Sequence, residues 1–93
     1  MILPINYDEA SRVERRKARD AYVEIQRGKC CYCGTDLSGK PDEQLREYPI
    51  ERSLFPTNFF NHPIHLHHDH DSGMTMGAVH NYCNAVLWQY HGE

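Results

Sequence analysis

The 93 residues contain no apolar run of the roughly 18 residues that a membrane span requires, which excludes a transmembrane helix. The opening "MILPINYDEA" lacks a basic region followed by an apolar stretch, so no signal peptide is expected and the expected compartment is the cytoplasm. Internal repeats and low-complexity tracts are also missing, which argues against a solenoid or a disordered tail. Cysteines number only four. In a reducing compartment, paired cysteines point to a metal more often than to a disulfide. Positive charge is scarce as well: ten Lys and Arg face thirteen Asp and Glu, a formal net charge of -3. A chain this short makes one domain, and domains of this size are marginal without a staple such as a metal, a disulfide or a partner.

The scarce positive charge is unevenly placed. Residues 12 to 29 hold seven of the ten Lys and Arg against three acids, whereas residues 30 to 93 hold three against eight. A basic arm on an acidic body fits binding of a phosphate backbone, with Arg12, Arg15, Arg16, Lys17 and Arg19 as the candidate contacts. The plainer reading is a solvated helix face.

The arm reads as a helix over residues 7 to 27, opened by a capping-box-like Asn6 and Glu9 and stopped at Gly28. Ala18, Ala21, Tyr22 and Ile25 would share its apolar face. Residues 36 to 61 are polar and proline-punctuated, with "PDEQLRE" as a short helix and "SLFPTNFFNHP" as irregular aromatic packing. From Pro63 the pattern sharpens into a strand "PIHLHH", a turn "DSGMT", a second strand "MGAVH" and a helix "NYCNAVLWQYH". Leu66, Val79, Val86, Leu87 and Trp88 are the expected core. The fold class expected is α+β: a hairpin followed by a helix, behind a basic helical arm.

Two short gaps carry metal chemistry. Cys30-x-x-Cys33 and His80-x-x-Cys83 each place two ligands on one tight turn, and together they make a Cys3His set with tetrahedral zinc spacing. Such a zinc would be structural. Reduced thiols and a disulfide framework are the alternatives, and Cys31 is a surplus thiol that could stand in for Cys30.

"HLHHDHDSG", residues 65 to 73, gathers four of the seven histidines. With "GKCCYCGTDL" and "MTMGAVHNYCN" in the same order, it resembles the HNH, or ββα-metal (His-Me finger), endonucleases. Within that family it is most similar to the phage recombination endonuclease VII branch. The likeness covers residues 28 to 37 and 64 to 91. It implies a small zinc-stapled ββα-metal fold forming a single HNH domain over residues 1 to 93, with residues 1 to 29 as the basic arm and 30 to 93 as the core. It also implies cleavage or nicking of DNA with a divalent cation, leaving 5′-phosphate and 3′-hydroxyl ends. In the family's register, counting back five from Gly73 and twelve from His80 lands on His68 as the general base. His67 and Asn84 take the places of the two catalytic-cation ligands.

Two positions depart from the branch. His67 stands where Asp is frequent, which turns the expected preference from Mg2+ toward Mn2+ or Ni2+. Met76 stands where the branch has Arg. His91, on the face of Asn84, Leu87 and Trp88, is a further candidate ligand. His65 and His70 are candidate substrate contacts or supports of the base, and Asn81 a helix cap or an orienter of the base. Because adjacent strand residues face opposite ways, His67 and His68 can share one site only if the strand ends or bulges there. The expected partner is DNA, bound by a monomer or homodimer, in the host cytoplasm if the chain is phage-encoded. A zinc-stapled binding module without catalysis, and a metal-buffering protein, are the competing functions.

Overall fold

Why the first helix starts where it does is decided by one side chain. In the computed structural model, which describes residues 1–92, α1 spans Arg12–Ile25 rather than beginning at residue 7. Ser11 and Glu14 form a reciprocal capping box, satisfying two backbone donors that the helix leaves open. Asn6 makes a separate turn instead, its Oδ1 accepting from the backbone N–H of Asp8 and Glu9. The helix ends through left-handed Arg27 and Gly28. Ala18 is fully buried, but Ile25 is 68% exposed, so the expected apolar face does not extend to the last turn.

A two-residue CxxC knuckle at Cys30–Cys33 follows, closed by the Gly34 N–H bonding to the Cys30 carbonyl. Next come α2 (Glu43–Arg46), capped by Asp42, and a 3-10 turn over Arg52–Leu54. The hairpin has β1 (Ile64–His68) antiparallel to β2 (Thr75–His80), and α3 (Asn81–His91) leaves directly from its end. The sheet has two strands and the class is α+β, as the periodicity indicated.

The register runs Ile64↔His80, His65↔Val79, Leu66↔Ala78 and His67↔Gly77, then jumps to His68↔Thr75, leaving Met76 as the extra residue of a bulge. The extra residue lies in β2; β1 has no inserted residue between His67 and His68 and ends at His68, and a strand end is one of the two conditions under which the pair can share a site. A buried cluster locks the hairpin. Cys30, Leu37, Ala78, Val79 and Cys83 form the core, with Tyr22, Val23, Leu45 and Ile64 packed against it. Val86 and Leu87 of α3 are also buried, whereas Trp88, expected in the core, is 42% exposed.

The chain before α1 straps the far end of the hairpin. Thr75 N–H donates to the Ile5 carbonyl, Ile5 N–H to Thr75 Oγ1, and Tyr7 N–H to the Gly73 carbonyl. Asn6 pairs with Met74 as an isolated bridge. Gly73 sits at φ +77°, the left-handed region that favours glycine, and a Cβ there would lie 2.8 Å from the Asp8 side-chain oxygen Oδ2.

Candidate metal centre and histidine site

The two half-sites read from sequence come together. The ligand atoms of Cys30, Cys33, His80 and Cys83 all lie within 4.8 Å of one another. His80 Nδ1 is 3.5 Å from Cys33 Sγ and 3.6 Å from Cys83 Sγ. Ordinary zinc–sulfur and zinc–nitrogen bonds at tetrahedral angles give an S···N edge of about 3.6 Å. The quartet therefore fits a metal ion such as zinc without rearrangement.

The neighbouring groups suit that occupant. His80 Nε2 is 2.8 Å from the Asp36 carbonyl, which fixes the ring with Nε2–H donating and Nδ1 turned to the cysteines. Cys30 accepts from the backbone N–H of Cys33, and Thr35 Oγ1 lies 3.2 Å from Cys33 Sγ. Hydrogen bonding from the Cys83 thiol pulls Cys30 below the ordinary thiol range, and the same bond together with burial pushes Cys83 up. One thiolate is thus already favoured within the cluster, and a cation would stabilise the others.

Cys31 stays outside the quartet. Its Sγ lies 2.8 Å from where a Gly77 Cβ would stand, so the glycine in β2 is what admits the knuckle against the strand. Its thiol is pushed up, first by burial and then by the charge of Cys30.

The histidine run splits by strand position. His65 and His67 share one face of β1, and Asn84 of α3 meets that face, its Nδ2 3.1 Å from His65 Nδ1. His65 also packs edge-on against Phe59, with centroids 4.7 Å apart. Burial holds its imidazole below the usual histidine range, partly offset by hydrogen bonding to the Phe59 backbone. The neutral ring accepts the Asn84 N–H, which turns the amide oxygen of Asn84 to the other side. His67 is 6% exposed and follows His65 by two residues on the same face of β1.

Past the bulge, His68 stacks face to face on Tyr7, with centroids 3.9 Å apart and planes 5° from parallel. Its ring lies below the usual range, first through burial and then through His70, whose ring is 5.0 Å away. His70 thus flanks the expected base. Asp69 folds the turn, accepting from Asp71 N–H and the Ser72 hydroxyl.

Other expected residues find different work. Asn81 does not cap α3, whose N-cap His80 makes no side-chain cap bond; its Nδ2 donates to the Phe60 and His62 carbonyls and ties the aromatic loop to the hairpin. His91 meets Tyr32 of the knuckle at 3.4 Å. Arg15 lies 4.0 Å over the Tyr7 ring and its Nε donates to the Tyr7 carbonyl, so that arginine is engaged inside the molecule. Arg19 is half-buried beside Asp20, while Arg12, Arg16 and Lys17 are exposed.

Sequence reasoning assigned no role to Tyr7 or to the Asp36 carbonyl, and it gave His65 no link to Asn84. No local pattern signals these long-range partners. Among the described residues no helix is long and apolar enough to cross a membrane. No family model, no curated protein and no solved structure matches this chain.

Proposed function

We propose that the chain is a metal-dependent HNH endonuclease with a structural zinc, built on a ββα-metal fold. The observation that carries the reading is the adjacent His67 and His68 at the end of β1, opposite the β2 bulge and next to a helix that presents Asn84 to the same strand. A plain zinc module has no use for that arrangement, which makes the non-catalytic binding module the second reading. A metal-buffering protein is less well supported, since the described residues form only one Cys/His quartet.

The chemistry follows from the residues. Hydrolysis of a phosphodiester needs a base near neutrality, and His68, half-buried and held toward its neutral form, takes the proton from water. His67 and the amide oxygen of Asn84 are the groups that would hold a divalent cation. Bound there, the cation would supply charge stabilisation at the phosphate and at the leaving 3′ oxygen. The nitrogen donor of His67 favours Mn2+ or Ni2+ over Mg2+. Arg12, Arg16 and Lys17 offer exposed charge to the DNA backbone, and binding of that kind weakens steeply with salt. Cys30, Cys33, His80 and Cys83 would hold the zinc, which would tie the start of α3, and with it Asn84, to the hairpin.

The test is cleavage of supercoiled plasmid with Mg2+, Mn2+ or Ni2+ and with EDTA. Cutting that needs the cation and is lost in His68→Ala is expected. Equal cutting by His68→Ala would overturn the assigned base, and binding without any cutting would favour the second reading.

A further inference from the structure

The N-terminal strap ends in a stack that the fold does not otherwise require. Tyr7 lies flat on the His68 imidazole at 3.9 Å and 5°, a geometry that leaves the ring little freedom to turn. The other component of the stack is cationic: the Arg15 guanidinium sits 4.0 Å from the Tyr7 centroid. The same side chain holds the Tyr7 carbonyl through Nε at 2.8 Å, so ring and backbone are both restrained from α1. On the hairpin side, Tyr7 N–H bonds to the Gly73 carbonyl at 2.7 Å, and the Asn6↔Met74 bridge fixes the preceding residue. A Cβ on Gly73 would meet the Asn6 and Asp8 side chains of the strap.

These contacts converge on one imidazole. His68 is the last residue of β1, paired with Thr75 beyond the β2 bulge, and the strand fixes its backbone but not the turn of its ring. The ring takes its orientation from what packs on it. We infer that Tyr7, backed by Arg15, is a positioning residue that holds the His68 ring in one orientation. Tyr7 touches neither phosphate nor cation in this scheme; it acts through His68. Its role in turnover rests on the endonuclease reading, whereas its hold on the ring does not. Arg15 accordingly belongs to this support and not to the DNA-contacting set.

Histidine ring NMR on the zinc-loaded full chain tests the hold directly. A stacked aromatic face shifts the His68 ring protons upfield. The shift is expected in wild type, kept in Tyr7→Phe, which retains the ring face, and lost in Tyr7→Leu with zinc content unchanged. In plasmid cleavage, Tyr7→Leu is expected to lower kcat by about tenfold to a hundredfold with KM little changed, the scale of a misplaced catalytic group. Tyr7→Phe restores it. Absence of the upfield shift in wild type overturns the inference without needing any variant to fold. So does wild-type kcat in a zinc-loaded Tyr7→Leu. A wild-type protein that shows the shift but cuts no DNA with any cation sinks the endonuclease reading and the kinetic half of the inference, while the shift upholds the hold on the ring.

Discussion

Replacing Gln26 with alanine should damage the hairpin although Gln26 lies outside it. The Gln26 side-chain amide behaves as a missing strand partner for β2. Its Oε1 accepts the Ala78 N–H at 2.9 Å, and its Nε2 donates to the carbonyls of Ala78 at 2.9 Å and Lys29 at 2.7 Å. Ala78 is fully buried and faces the edge of β2 that has no strand beside it. The Ala78 carbonyl keeps a second donor, Cys31 N–H at 3.0 Å, so it is not stranded. The Ala78 N–H is the group at risk. Leaving one buried donor unpaired costs about 1–3 kcal/mol, and water entering the vacated space would recover part of this. About 2 kcal/mol is therefore expected, which for a domain of this size lowers Tm by roughly 8–16 °C. Thermal unfolding of the zinc-loaded protein followed by circular dichroism would measure it. Gln26→Glu should be at least as harmful, since it turns two donated bonds into contacts between carboxylate and carbonyl oxygens. A Gln26→Ala protein melting within about 2 °C of wild type would refute the claim that this amide completes the sheet edge.

The metal quartet predicts one zinc per chain by mass spectrometry under native conditions, lost in Cys83→Ser and retained in Cys31→Ser; chelation should unfold the domain, because metal-binding energy is folding energy in a chain this small. Gly73→Ala is expected to cost about 1–2 kcal/mol from the positive φ alone, read as a shift in the denaturant midpoint. Acid should weaken the fold through His65 and His68, whose imidazoles both lie below the usual range. The unfolded chain takes up their protons near pH 6.5 while the folded chain resists, so stability declines as pH falls below about 6.5 and levels off once the folded rings titrate. His65→Gln should flatten that dependence in urea titrations made at several pH values, and an unchanged slope would assign the effect elsewhere.

Much of the architecture was legible in the chain because its signals are local. Alternation in "PIHLHH" and "MGAVH" marks β1 and β2, and α3 follows the 3.6-residue pattern over Asn81–His91. The two-residue gaps of Cys30/Cys33 and His80/Cys83 point to a group that could hold one metal ion because each gap puts two ligand side chains on one turn. The start of α1 was misread for an equally local reason. Asn6 with Glu9 and Ser11 with Glu14 both satisfy the capping pattern, and only the second is followed by uninterrupted helix.

Tertiary structure decided the rest. Pattern alone could say that His67 and His68 need a bulge, but the extra residue at Met76 is a property of how β2 pairs. Likewise Trp88, apolar and on a helix, meets the loop through Phe55, ring centroids 5.4 Å apart, and is still 42% exposed. Tyr7 meets His68 from 61 positions away in the chain, and Arg15 in turn meets Tyr7. Contacts of that span leave no periodicity in the residues between them. The sequence by itself determined the hairpin, α3 and the four residues that could hold a metal, because those signals are local; which ring stacks on His68, and which amide closes the sheet edge, were settled only when the chain folded back on itself.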